Sequence, residues 1–114
     1  MFAESHIWKI RSVKPYPEAH NHLLVGRVTA KENGYVRLWC RSFHYGRVLS
    51  GIKDITVGSL SSRIIPWVRI EIINELSKDF DFQKAELKID KKGNVLLTDR
   101  SSFCLIAPVR CEDY

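Results

Sequence analysis

Short apolar segments, each interrupted by glycine or proline, are the feature that most constrains how this chain folds. Six glycines and four prolines separate stretches rich in valine, isoleucine, leucine and aromatic residues. No stretch keeps a 3.6-residue apolar period for more than about two turns, and β-branched and aromatic residues favour extended backbone. The sequence therefore predicts a mostly β protein.

The length and the cysteines limit the class of protein. A chain of 114 residues predicts a single domain over 1–114. No apolar run approaches the roughly 20 residues that span a bilayer, and the first residues lack a signal-peptide pattern, so a cytoplasmic location is expected. Cys40, Cys104 and Cys111 form no CxxC pair, which predicts reduced thiols.

The glycines and prolines also indicate where the strands and turns lie along the chain. Residues 46–62 are rich in glycine and serine and predict a loop or a weak hairpin, and residues 74–83 predict one or two helical turns. Strands are expected over 6–13, 22–30, 35–43, 63–73 (strand, sharp turn, strand), 85–98 (a hairpin) and 103–109.

The register of the first hairpin follows from which side chains must share a face. A two-residue turn at Asn33 and Gly34 would mix arginines into the apolar face. A three-residue loop ending at a left-handed Gly34 instead pairs Lys31 with Tyr35 and separates the faces. The resulting apolar inner face contains Leu24, Gly26, Val28, Ala30, Val36, Leu38 and Cys40.

The second hairpin is predicted by the same rule. Lys91, Lys92 and Gly93 are expected to form a three-residue loop with a left-handed Gly93. This loop pairs Ile89 with Val95, so the apolar residues of both strands fall on one face.

Basic and aromatic residues alternate along the opposite, outer face of the second long strand, which is the main candidate for function. Aromatic rings stack nucleic-acid bases and arginines neutralise phosphates, so the pattern is typical of single-stranded nucleic-acid binding, RNA in particular. The same residue types dominate protein interfaces, so packing within the chain, a protein partner or assembly into a homo-oligomer is the alternative. This outer stripe consists of Arg27, Tyr35, Arg37, Trp39, Arg41, Phe43, Tyr45 and Arg47.

The charge distribution assigns anion contact to the first part of the chain. Residues 1–70 contain 11 basic and 4 acidic groups, a net charge of +7, whereas residues 71–114 contain 7 basic and 9 acidic groups, a net charge of −2. An ordinary solvated surface is the alternative, because a whole-chain charge of +5 also serves solubility.

No catalytic residue, metal or cofactor is predicted. His20 and His22 could begin a metal site with Glu18 or His44, but the spacing lacks four converging ligands and favours solvated loop histidines. Asp79, Asp81 and Glu86 are expected in an exposed loop rather than in acid–base chemistry. The common enzyme signatures are absent, so a non-enzymatic binding module is expected, and a small enzyme without a signature is a third possibility.

Leu24 to Val28 (LVGRV), Tyr35 to Cys40 (YVRLWC) and Ile65 to Ile70 (IPWVRI) resemble the Sm-like small β-barrel superfamily over about residues 22–73. The resemblance implies a strongly bent small barrel with an extra C-terminal hairpin and strand over about 84–110, and assembly through edge strands. Glu32, Tyr35 and Val36 replace the family's Asp and hydrophobic-Asn pattern, and Pro66-Trp67 replaces Arg-Gly. The family's uridine pocket is therefore not carried over.

Overall fold

The chain is mostly β, as predicted. The computed structural model describes residues 6–16, 19–47 and 49–108. In these ranges the regular elements are strands and two short 3₁₀ turns, Ile52–Asp54 and Trp67–Arg69. The strands are β1 (Ile7–Ser12), β2 (Asn21–Lys31), β3 (Tyr35–Tyr45), β4 (Thr56–Val57), β5 (Ser61–Pro66), β6 (Ile70–Leu76), β7 (Glu86–Ile89), β8 (Val95–Thr98) and β9 (Phe103–Ala107).

The first six strands form an antiparallel sheet built around the long strands β2 and β3. The strand order is β4-β3-β2-β1-β6, and the first half of β3 also pairs with β5. The 3₁₀ turn at Trp67–Arg69 connects β5 directly to β6, although these two strands lie at opposite ends of the strand order. In the described ranges no ladder pairs β5 with β6, so this sheet is not closed by hydrogen bonding.

The last three strands form a second antiparallel sheet in the order β7-β8-β9. The hairpin predicted over 85–98 and the strand predicted from Phe103 are confirmed, except that Val109 lies outside the described residues. This sheet and the turns before it pack against the outer face of β2 and β3.

The tip of the first hairpin differs from the prediction, while its middle agrees. Arg27 lies opposite Trp39 as predicted. The Glu32 amide donates to the Tyr35 carbonyl at 2.8 Å, so the turn has two residues rather than three, and Gly34 has no positive φ. A β-bulge at Thr29 supplies the extra residue instead. Because a bulge shifts the register by one, it restores the face pattern that the longer loop was expected to provide.

The second hairpin follows its prediction throughout. Ile89 pairs with Val95, and the Asp90 amide donates to the Asn94 carbonyl at 3.0 Å, which closes a three-residue loop. Gly93 has a φ of 96°, a conformation that side chains with a Cβ atom adopt at a cost.

Two apolar clusters lie on the two faces of the first sheet. The inner cluster contains Leu24, Val36, Leu38 and Cys40, which confirms the predicted inner face, and also includes residues of β1 and β5. The outer cluster joins β2 and β3 to the second sheet, so part of the outer face is buried. Its members include Leu23, Val25, Phe43, Tyr45, Phe80, Phe82, Val95, Leu97, Cys104 and Ile106.

Gly26 allows the close approach of β2 to β3. A Cβ atom at this position would lie 2.5 Å from the Cα atom of Cys40, its partner across the ladder, and closer still to the Trp39 carbonyl oxygen. Real side chains do not tolerate such contacts with backbone, so glycine is required here.

The helical turns predicted over 74–83 are wrong. Strand β6 continues to Leu76, and residues 77–85 form turns that place Phe80 and Phe82 in the outer cluster. Burial of these two rings outweighs the local preference for a helical turn. The described residues between β3 and β5 form a loop, as one of the two predictions for 46–62 stated, with a 3₁₀ turn and the two-residue strand β4, whereas Ser61 and Ser62 already belong to β5.

Candidate binding face

The second sheet covers one end of the outer stripe. Phe43 has 0% exposure, and Tyr45 is buried and donates its hydroxyl to the Ile106 carbonyl at 3.1 Å. These two residues were predicted to contact a partner, and this prediction is wrong because the C-terminal strands bury them. The sequence could not specify which segment would cover the stripe.

Arg41 fastens the covering segment to β3 instead of facing solvent. Its Nη1 atom donates to the carbonyl oxygens of Phe82 and Ala85 at 2.9 and 2.8 Å. Burial lowers the pKa of this guanidinium. Both hydrogen bonds hold residues 82–85 against β3. Arg41 therefore makes a structural contact within the chain in place of the predicted ligand contact.

Arg27 and Trp39 lie at the boundary of the covered region. Both side chains are partly buried, and Trp39 packs against the outer cluster. The Arg27 guanidinium carbon lies 5.9 Å from the centroid of the Phe82 ring. Its Nε atom is buried and has no hydrogen-bond partner among the described residues. An unpaired charged donor of this kind favours an added acceptor.

Tyr35 and Arg37 lie on the part of the stripe that the second sheet leaves uncovered. The Arg37 guanidinium carbon is 6.0 Å from the Tyr35 ring centroid, within cation–π distance. Across the ladder from Arg37 is Ile64, which is 57% exposed. We use the name uncovered face for Tyr35 and Arg37 together with Arg27 and Trp39, which lie partly buried at its border. Arg47 is exposed but follows the other end of β3, so it does not belong to this face.

The histidine pair in the first sheet stacks rather than forming a metal cluster. His22 and His44 lie opposite each other, with ring centroids 4.2 Å apart. In the described ranges no group of three or more histidine, cysteine or acidic side chains could hold a metal ion, and Glu18 lies outside those ranges. Burial lowers the pKa of both imidazoles, and nearby positive groups lower it further.

The cysteines that the structure describes are structural. Cys40 and Cys104 are free, buried thiols, as predicted, and Cys111 lies outside the described residues. Burial raises the pKa of each described thiol to about 11, so both stay protonated at neutral pH. Neither has the lowered pKa of a nucleophilic cysteine.

The acidic groups near the turns serve local structure. Asp79 and Asp81 are exposed, as predicted. The Asp81 carboxylate accepts from the Lys84 amide at 3.3 Å, which is a turn contact and not a paired catalytic site.

Arg63 is the basic residue whose position the sequence reasoning missed. It pairs with Leu38 and therefore points to the inner side of the sheet, away from the outer stripe. The signal that could have identified this position is the apolar Ile65 two residues later. Residues two apart in a strand share a face, and Ile65 is buried on the inner face.

Comparisons with protein-family models, with curated proteins and with solved structures gave no match. The candidate site is therefore defined by the geometry of this chain alone. Within the described ranges no helix has the length and hydropathy that crossing a membrane requires.

Proposed function

We propose that this chain is a non-enzymatic binding module for single-stranded nucleic acid, RNA in particular, and that the uncovered face makes the contact. The observation that carries the proposal is the Arg37 guanidinium within cation–π distance of the Tyr35 ring, on a sheet face that the second sheet leaves open. A flat aromatic ring beside a guanidinium suits base stacking combined with phosphate contact.

The charges around this face support an anionic ligand. Arg27 and Arg37 contribute two cations, and no acidic residue belongs to the uncovered face. The first 70 residues have a net charge of +7, so the surrounding field attracts a polyanion.

We also propose that the first sheet is an open form of the strongly bent, Sm-like small barrel. Support comes from β1 lying between β2 and β6, from the single 3₁₀ turn that links β5 to β6, and from the close strand approach at Gly26. A cytoplasmic location belongs to the same proposal, because free Cys40 and Cys104 suit a reducing compartment.

The test is fluorescence anisotropy with labelled single-stranded oligonucleotides over a series of salt concentrations. We expect Tyr35→Ala to weaken binding by about 1–3 kcal/mol, the value of one base-stacking contact. Arg37→Ala should reduce the salt slope by about 0.7, the effect of one phosphate contact on a single strand.

Matched controls separate the face from general effects. Tyr16→Ala removes an exposed tyrosine away from the face, and Arg100→Ala removes an exposed arginine at the β8–β9 turn. Both should bind like the wild type. The proposal is wrong if the wild type shows no salt-dependent binding, or if the control variants lose as much affinity as the face variants.

Assembly with a second copy of this chain is the second candidate, and the exposed edge strand β6 favours it. Among the strands that the structure describes, β6 pairs only with β1, and Ile72 and Ile73 are exposed on it. Val68, just before β6, is 84% exposed. Exposed apolar edges are prone to pair with another chain.

Light scattering at several protein concentrations tests this candidate. Ile72→Glu places a charge on β6 opposite Arg11 and should lower the mass of an oligomer. Ile89→Glu changes an isoleucine of similar exposure, 49% against 44%, in the second sheet and should leave the mass unchanged. A monomeric wild type at all concentrations excludes assembly.

A further inference from the structure

A cavity of about 350 Å³ opens beside the inner face of the first sheet. It lies between the end of β1, the start of β2, and β5 with its following 3₁₀ turn. Small-molecule sites have volumes of roughly 300–1,000 Å³, so the cavity can hold a small ligand. Arg63 points into this side of the sheet, whereas Arg37 lies on the uncovered face.

The polar side chains that line the cavity are basic, apart from one hydroxyl. They are Arg63, Arg69, His20, His22 and Ser12, and no acidic side chain of the described ranges lines the cavity. Leu24 and Ile65 form its apolar wall. Two guanidinium groups beside two imidazoles, without a carboxylate, favour an anion and repel a metal cation.

Arg63 has no counter-ion among the described residues. Its Nε donates to Ser61 Oγ at 3.3 Å, and its Nη2 donates to Ser42 Oγ at 3.4 Å. Both partners are neutral hydroxyls, and both distances are long for hydrogen bonds. A guanidinium held in this way keeps its charge available for an oxyanion, which it can bind with two parallel N–H donors.

His22 supplies a second observation that points to a ligand. Its Nε2 atom is buried without a hydrogen-bond partner in the described part of the chain. A buried polar atom left without a partner destabilises the fold, and a hydrogen bond to a bound acceptor removes that cost.

We propose that this cavity binds a small phosphate-bearing molecule, with Arg63 and Arg69 contacting phosphate oxygens and His22 donating from Nε2. This inference does not depend on the proposed function, because the cavity and the uncovered face share no residue. Arginine forks match phosphate oxygens geometrically, which favours a phosphate over a simple halide.

Anion binding should be coupled to proton uptake by the histidines. The pKa of His22 is lowered by burial, then by the charge of His44, and then by that of Arg63. The pKa of His44 is lowered by burial, then by the charge of Arg63, and then by that of His20. An added anion reverses the repulsion among these groups, so protonation becomes easier and affinity rises as pH falls. The charged and titratable groups that act on the pair from the described strands and turns are His20 and Arg63, and Arg69 lines the same cavity.

Sulfate and inorganic phosphate are the probes, measured by calorimetry against chloride at equal ionic strength. Sulfate keeps its charge across neutral pH, so any rise in its affinity from about pH 8 to about pH 6 belongs to the histidines. NMR titration of the His22 and His44 rings should show their midpoints rising when sulfate is added. Unchanged midpoints together with no binding of either probe would overturn the proposal.

Arg63→Gln keeps a polar side chain but removes the charge, and it should weaken binding of both probes at least about tenfold. Arg69→Gln provides the second variant if Arg63→Gln does not fold, because the Arg69 side chain lines the cavity and makes no hydrogen bond to the residues described. Arg100→Gln, in the turn between β8 and β9, is the matched control. Equal losses in Arg100→Gln and in the cavity variants contradict the site.

The phosphate could also belong to a nucleic-acid backbone, and competition distinguishes the two sources. We expect glycerol phosphate to bind in the cavity, Arg63→Gln to abolish this binding, and Arg37→Ala to leave it unchanged. Arg63→Gln should retain the oligonucleotide affinity of the wild type. If Arg63→Gln weakens oligonucleotide binding as much as it weakens glycerol phosphate binding, the cavity recognises a backbone phosphate and the small-molecule proposal is wrong.

Discussion

Replacing Arg41 with methionine tests whether this residue is a structural fastener or a ligand contact. The change preserves most of the apolar stem and removes the guanidinium that donates to the Phe82 and Ala85 carbonyls at 2.9 and 2.8 Å. A hydrogen bond from a charged group contributes about 1.5–3 kcal/mol. One nitrogen makes both bonds and the side chain is only partly buried. We therefore expect a loss of about 2–4 kcal/mol of unfolding free energy rather than the full sum.

Urea unfolding followed by tryptophan fluorescence measures this loss. Arg37→Met is the matched control, because Arg37 lies on the same strand face, is also partly buried, and makes a cation–π contact with the Tyr35 ring that is worth about 0.5–1 kcal/mol near a surface. In Arg41→Met, faster hydrogen exchange is expected at the Ala85 amide, which donates to the Asp81 carbonyl in the fastened segment.

The two variants should also differ in oligonucleotide binding. Arg41→Met is expected to keep the salt slope of the wild type, whereas Arg37→Met should lower it. The fastener assignment is refuted if Arg41→Met unfolds within about 0.5 kcal/mol of the wild type, the usual range for surface substitutions. A lowered salt slope with unchanged stability would return Arg41 to the binding face.

Three further predictions concern backbone, thiols and histidines. Gly93→Ala should lose about 1–2 kcal/mol of stability because of its φ of 96°, whereas Gly34→Ala, with no positive φ and open space around it, should stay near wild type; equal losses in urea unfolding would contradict this. In a Cys111→Ser background, Cys40 and Cys104 should resist iodoacetamide at pH 8 until the protein unfolds, since burial raises their pKa to about 11; rapid alkylation of the native state counts against it. Because the pKa of His22 and His44 is lowered in the native state, the unfolded chain binds more protons, and stability should fall as pH drops below 6.5; His22→Gln with His44→Gln should flatten that slope in unfolding curves measured across pH.

The second hairpin could be predicted from sequence because its determinants are local. Gly93 after two lysines specifies the loop, and Ile89 and Val95 then pair on the apolar face. The tip of the first hairpin could not be predicted in this way. Nothing in the residues Val28, Thr29 and Ala30 distinguishes a bulge from regular strand, and a bulge and a longer loop shift the register equally.

The extent of the candidate face depended on contacts between distant parts of the chain. Alternation correctly grouped Arg37, Trp39 and Phe43 on one side of β3, because that side follows from the two-residue period of a strand. Whether solvent or another segment covers that side depends on where Phe80 and Phe82 pack, and local pattern does not determine it. The inward turn of Arg63 similarly depended on the pairing of β5 with β3.

The second sheet buries an apolar face of the first sheet, and this has a consequence for synthesis on the ribosome. Strand β3 ends at Tyr45, whereas β7 begins only at Glu86. Because translation proceeds from the N-terminus, the apolar side of β2 and β3 that holds Leu23, Val25 and Phe43 emerges well before the strands that bury it. The nascent chain therefore exposes an apolar sheet surface for a time. Slowing translation between β3 and β7 should increase its dependence on chaperones.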